Sequence, residues 1–82
     1  MKKKIIVTGG AGFIGSNLID ELLSFRNYHI YCIDNLSTGK LDFLKKAKKN
    51  KDFKFINADL NNIKNIKKYF KNTEFVFHLA AL

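Results

Sequence analysis

Apolar residues along this chain occur in two alternating patterns: short unbroken runs, and longer stretches where they recur every three or four positions. Residues 4–8 hold Ile5, Ile6 and Val7 in a row before a glycine, the pattern of a strand buried on both faces of a parallel sheet. Over residues 13–23, Ile14, Leu18, Ile19 and Leu22 fall at helical spacing and leave Ser16, Asn17, Asp20 and Glu21 to face water. Residues 24–29 are polar, and Ile30, Tyr31, Cys32 and Ile33 then form a second strand stopped by Asp34 and Asn35. After a loop over residues 36–39, Leu41, Leu44 and Ala47 keep a helical register among lysines and predict a modest helix. Phe53, Phe55 and Ile56 make a third strand that ends at Asn57, Ala58 and Asp59. Asn61 or Asn62 then caps a helix carrying Ile63, Ile66 and Phe70 inward, with Lys64, Lys67, Lys68 and Lys71 on its other side. Residues 75–79 form a fourth strand that runs into Ala80, Ala81 and Leu82.

Strands separated by helix-length segments imply right-handed βαβ units and a parallel sheet covered by helices. The fold class is α/β: a Rossmann-type parallel sheet with helices on both faces, first half only, in strand order 3-2-1-4. The winding reverses between the first and fourth strands, and ligands of such sheets bind beyond the carboxyl ends of the strands beside that point. The glycine-rich turn at residues 8–15, Asp34, Asp59 and the residues after Leu79 all fall there.

Length and composition narrow the classes. A chain of 82 residues is one domain at most, and at that size roughly 60% of the unfolded surface is buried. A hydrophobic content of 46% with 13% aromatics belongs to a globular chain. No apolar run approaches the roughly 20 residues that span a bilayer, and Lys2, Lys3 and Lys4 lead into a strand without a signal-like core. The expected location is the cytoplasm, with no membrane partner. The single cysteine, Cys32, can form neither an internal disulfide nor a multi-thiolate metal site, which suits a reducing compartment. A net charge of +8 raises the question of nucleic acid. All but one of the fifteen basic residues are lysines, Arg26 being the exception, and they spread over the amino terminus and outer helix faces. That distribution reads as solvated surface with no nucleic-acid partner, and a basic surface that attracts an anionic cofactor or substrate stays open.

The candidate chemistry lies in TGGAGFIG, residues 8–15. Glycines at 9, 10, 12 and 15 follow an apolar strand and open a helix, as a phosphate cradle requires. Both Gly10-x-Gly12-x-x-Gly15 and Gly9-x-x-Gly12-x-x-Gly15 fit, and each predicts a nucleotide. A P-loop is disfavoured because Gly15, Ser16 and Asn17 replace its Gly-Lys-Ser/Thr ending. Asp34 lies 19 positions after Gly15, at the end of the second strand. There a carboxylate accepts hydrogen bonds from the adenosine ribose and repels a 2′-phosphate, so NAD is favoured over NADP. Asp59 either reaches the adenine amino group, with Leu60 as an apolar wall, or only forms a turn. Cys32 reads as a small core residue, His29 as surface, and Phe53 and Phe55 as strand core. His78 has no acid or thiol partner in sequence and takes a structural role.

Taken together, TGGAGFIGS at residues 8–16, DNLSTG at 34–39, ADL at 58–60 and HLAA at 78–81 resemble the amino-terminal part of the extended short-chain dehydrogenase/reductases. Within them the chain is similar to the NAD-dependent epimerase/dehydratase family, with DNLSTG pointing to its UDP-glucose 4-epimerase branch. The resemblance implies that Gly9, Gly12, Phe13 and Ile14 line the pyrophosphate, that Asp34 and Asn35 hold the ribose, and that Ser37, Thr38 and Gly39 lie nearby. It also implies that Asp59 and Leu60 flank adenine and that Leu79, Ala80 and Ala81 approach the cofactor. In that family NAD takes a hydride from the sugar of a nucleotide-sugar substrate and returns it, while a Tyr-x-x-x-Lys pair moves the proton. Tyr28, Tyr31 and Tyr69 are followed four positions later by Cys32, Asn35 and Thr73, so that pair is absent. Residues 1–82 are accordingly expected to be the amino-terminal part of the NAD-binding domain of a longer, homodimeric enzyme. The later strands, the substrate domain and the catalytic residues would lie beyond Leu82. Dehydratase and decarboxylase activities of the same family, or a noncatalytic NAD(P)-binding protein, are the alternatives.

Overall fold

The computed structural model describes residues 2–36, 40–59, 61 and 63–79. Four strands, β1 (Lys3–Thr8), β2 (Tyr28–Asp34), β3 (Phe53–Asn57) and β4 (Phe75–His78), form one parallel sheet in the order β3-β2-β1-β4. The register pairs Thr8 with Ile33 on one side and His78 on the other, and Asp34 with Asn57. All four strands therefore finish in nearly one row, which brings the expected ligand-facing segments to a single edge.

The unbroken apolar run of β1 is explained by a two-sided core, since alternate strand residues point to opposite faces. Ile5 and Val7 join Ile19, Leu23, Ile30, Cys32, Leu44 and Ala47 in one buried cluster, against which Phe53 and Phe55 pack. Ile6 turns the other way and packs with Ile33, Ile56 and Ile66, flanked by Tyr31, Tyr69 and Phe70. Helix α1 (Phe13–Ser24) lies on the first face, and the short α2 (Ile63–Ile66) on the second. Among the described residues no helix is long and apolar enough to cross a membrane.

Three segments depart from the sequence reading. The buried residues of α1 are Gly15, Ser16, Ile19 and Leu23, while Ile14 is exposed and Ser16 is not. The inward face is set by the close seat of Gly15 on the glycine turn, which rotates the stripe away from Ile14; Ser16 satisfies its hydroxyl on the Phe13 carbonyl at 2.9 Å. Between β2 and β3 the single expected helix is instead a pair of 3-10 turns, Leu41–Leu44 and Ala47–Lys49. A continuous α-helix would stack Lys45 on Lys49 at i,i+4, a like-charge pair, whereas the spacing of three between Leu41, Leu44 and Ala47 matches 3-10 geometry. Leu44 and Ala47 are buried as expected. After β3, α2 lasts one turn and continues as a 3-10 turn, Lys67–Phe70. Ile66 is buried and Lys64, Lys67, Lys68 and Lys71 are exposed, while the side chain of Ile63 and all of Asn62 lie outside the described set.

The amino-terminal edge of the sheet is tied by Asp52, whose carboxylate pairs with Lys2 Nζ and lies 3.4 Å from His29 Nδ1. The Lys2 ammonium holds this carboxyl below its ordinary value.

Candidate functional site

Gly9 leaves β1 with φ of 73°, a left-handed conformation that a side chain would strain, and its N–H donates to the Ile33 carbonyl at 2.9 Å. The next glycines serve packing: a Cβ on Gly10 would lie 2.7 Å from Cys32 Sγ, and one on Gly15 would lie 2.7 Å from the Gly10 Cα. Gly12 differs, because an added Cβ meets nothing closer than the Gly9 carbonyl oxygen at 3.7 Å. Its open face lies at the start of α1, where it serves as N-cap with no side-chain cap bond and no acid in the first turn. The first N–H groups of a helix lack intrahelical acceptors and carry the positive end of the dipole, which makes this an anion-accepting position. Of the two glycine spacings, Gly9-x-x-Gly12-x-x-Gly15 describes the turn, with Gly10 packed on the sheet.

Asp34 is built into the same turn. Its Oδ2 accepts from the Ala11 N–H at 3.0 Å, its Oδ1 accepts from the Leu36 N–H at 2.8 Å, and its carbonyl accepts from the Ala58 N–H at 3.2 Å. The first bond pins the glycine turn to the end of β2; the second forms a turn that holds Leu36 at φ of 63°. A carboxylate has about four acceptor positions, so this one, half-buried and already oriented, retains capacity for a diol.

Phe13 and Ile14 stand exposed at the mouth, and the Phe13 ring meets Phe43 edge-on at 6.2 Å. The Lys40 N–H donates to the Ala11 carbonyl at 3.0 Å, so the segment after residue 39 returns to the turn. Asn35 is exposed beside Asp34. Asp59 is exposed and accepts from the Asn61 N–H at 2.9 Å, so here it forms a local turn at the end of β3. Leu79 is partly exposed and donates its N–H to the Thr8 carbonyl at 2.8 Å. Ser37, Thr38, Gly39, Leu60, Ala80 and Ala81 lie outside the described residues.

Cys32 is fully buried beneath Gly10, and its thiol is pushed up to about 12 by burial first and by the Asp34 charge second, against a bond from Gly10. It is core, as its sequence context implied. His29 is exposed and faces Asp52. His78 does have a partner that the sequence did not reveal: its Nδ1 lies 2.7 Å from Thr8 Oγ1. That contact follows from the parallel register of Thr8 with His78, which a linear reading does not supply.

The open face of Gly12 offers unpaired helix N–H groups, and the Asp34 carboxylate keeps acceptor positions beside it. A model of the family described as GDP-mannose 4,6 dehydratase matches residues 6–82, nearly the whole chain. The chain belongs to this family. Among its relatives, a putative UDP-glucose 4-epimerase from Methanocaldococcus jannaschii is 44% identical over 78 residues, covering 94% of this chain and 24% of the relative. The structure of UDP-glucuronic acid 4-epimerase from Bacillus cereus, in complex with NAD, superposes with a TM-score of 0.87 at 36% identity, covering 96% of this chain and 27% of that one. The dTDP-glucose 4,6-dehydratase of Bacillus anthracis, also in complex with NAD, gives 0.90 at 31% identity, covering 98% and 27%. This family member thus spans about a quarter of the length of these proteins, and its four-stranded parallel sheet has their Rossmann-type fold.

Proposed function

We propose that residues 1–82 form the amino-terminal part of an NAD-binding Rossmann domain, and that the complete protein is a nucleotide-sugar epimerase of the UDP-glucose 4-epimerase type. The observation that carries this reading is Asp34 bonded to the Ala11 N–H at 3.0 Å beside the open face of Gly12. That bond supports the reading, because it holds the Asp34 carboxylate and the glycine turn in one arrangement without a ligand.

These residues fit NAD. The open Gly12 face is a space that a Cβ would fill, and the Asp34 carboxylate keeps acceptor capacity for the ribose hydroxyls while its charge opposes a 2′-phosphate. Gly9, Gly12, Phe13 and Ile14 would line the pyrophosphate, and Asp34 and Asn35 the ribose, with Ser37, Thr38 and Gly39 near it. Asp59 and Leu60 would flank adenine, and Leu79, Ala80 and Ala81 would approach from β4. Asp59 can serve only by turning an oxygen not used for Asn61 toward the ring. When bound, NAD supplies reversible hydride transfer with the sugar of the substrate. The 82 residues bind and orient; they contain no Tyr-x-x-x-Lys pair and are inactive by themselves.

The family description and the B. anthracis neighbour support a second reading, a 4,6-dehydratase, and a decarboxylase would use the same cofactor site. Chromatography that resolves the glucose and galactose isomers, coupled to mass spectrometry of nucleotide-sugars incubated with the complete gene product and NAD, separates the three. An epimerase yields an isomer of unchanged mass from UDP-glucose, a dehydratase a product lighter by water, and a decarboxylase a product of UDP-glucuronic acid lighter by carbon dioxide. An unchanged mass with conversion of glucose to galactose configuration is expected. Loss of water or carbon dioxide would replace the epimerase reading, and no conversion of any substrate would favour a noncatalytic NAD(P)-binding protein.

A further inference from the structure

The net charge of +8 is unevenly placed. Residues 44–73 hold ten lysines against two aspartates, Asp52 and Asp59, and so carry all of it, while the rest of the chain is neutral in sum. The fold gathers these lysines at one end of the sheet. β3, the outermost strand beyond β2, contains Lys54 and follows Lys51. Lys45, Lys46, Lys48 and Lys49 belong to the segment whose Leu44 and Ala47 pack on the first face. Lys64, Lys67, Lys68 and Lys71 belong to the segment around Ile66, which packs on the second. All ten are exposed. Among the described residues the ion pairs are those of Lys2, Lys3 and His29, so no carboxylate neutralises any of the ten at contact. β4, at the other end of the sheet, is preceded by Glu74 and holds no lysine.

Scattered lysines would serve solubility equally well, whereas gathered ones set up a field across the sheet. That field is placed to act on the glycine turn. Asn57, at the end of β3, pairs with Asp34, and the Lys40 N–H, where the lysine-rich connection begins, is bonded to the Ala11 carbonyl. The basic band therefore starts beside the open face of Gly12 and wraps the β3 side of the molecule from one face to the other. The molecule measures 30 × 28 × 17 Å. At about 0.01 M salt the screening length is about 30 Å, so every lysine of the band acts on an anion nearing the turn; at about 1 M it is about 3 Å, and only direct contacts count.

We propose that the lysine band is an electrostatic collector for the anionic ligand of the glycine turn: it speeds the encounter with NAD and takes no part in holding it. This rests on the NAD reading above. Stopped-flow mixing of the complete gene product with NAD, and with NADH, which carries one more negative charge, measures association and dissociation separately. Association of NAD should slow by about fivefold between about 0.01 M and about 1 M salt, and that of NADH by more. The quadruple variant Lys45→Gln, Lys46→Gln, Lys64→Gln, Lys67→Gln changes only exposed side chains and should fold as wild type does. Its low-salt association should be slower by about threefold, the two proteins should converge at high salt, and dissociation should stay within about twofold of wild type. Arginine at the same four positions should restore the wild-type rates. Equal low-salt association of wild type and the glutamine variant, or a loss carried by dissociation alone, would overturn the inference while leaving the NAD site standing. Salt-sensitive binding of a single-stranded RNA that the glutamine variant loses, with NAD rates unchanged, would also overturn it and assign the band to nucleic acid. A wild-type protein that binds neither NAD nor NADH would overturn the parent reading and the collector together.

Discussion

A methyl group added at Gly12 would reach no atom closer than 3.7 Å, whereas at Gly15 it would be driven to 2.7 Å from the Gly10 Cα and 2.8 Å from the Gly9 carbonyl oxygen. Gly12→Ala is therefore expected to fold, with a loss of about 1 kcal/mol or less for the poorer N-cap, and to lose NAD binding because the methyl occupies the phosphate position. Gly15→Ala should lose stability by about 1–3 kcal/mol, since backbone has to move. Urea unfolding and NAD titration of both variants check this; a Gly12→Ala protein that binds NAD normally would contradict the assignment. Cys32 offers a second test. With its thiol pushed up to about 12 and no exposure, it should resist a thiol reagent at pH 8 in the folded protein and react once urea unfolds it. Four glycines before a helix were legible as a tight strand-to-helix turn. Their division of labour was not, because it depends on what lies across from each: Cys32 from β2 under Gly10, and the turn itself under Gly15.

The pattern of each segment predicted its partner better than its internal geometry. Leu44 and Ala47 face the core as their spacing requires, yet the lysines around them break the helix into 3-10 turns. In α1 the counted apolar positions pointed to Ile14, while the small residues Gly15 and Ser16 determine the inward face. Periodicity scores hydrophobicity, and close helix-to-turn approach is a matter of size. The link between the starts of β1, β2 and β3 is equally invisible in a linear reading, because Lys2, His29 and Asp52 meet only after the sheet has formed. It gives a pH prediction. Asp52 is held below its ordinary value of 3.8, mainly by its hydrogen bond from Lys2. Its stabilising contribution is therefore complete above the unfolded value and is lost as pH falls below about 4 through the folded value. Asp52→Asn should flatten the acid limb of stability against pH, measured by urea midpoints; an unchanged limb would assign the acid sensitivity elsewhere.

The assembled sheet leaves Phe75, Val76 and Phe77 of β4, and Leu79 just after it, between 37% and 56% exposed, an apolar edge of the kind that pairs with other chains. The 82 residues prepared alone are expected to associate as concentration rises, seen by light scattering, and Val76→Lys should reduce this; a stable monomer at high concentration would contradict it. Strand order and the common edge followed from sequence because the switch of winding leaves few alternatives. What unites the molecule is one turn, held by Ile33, Asp34 and Leu79 from both sides of β1 and its neighbour strands. The most direct test of its purpose is calorimetric titration of the complete gene product with NAD and with NADP. The charge of Asp34 predicts that NAD binds tighter by about tenfold or more. Equal or tighter binding of NADP, or no binding of either, would contradict the account.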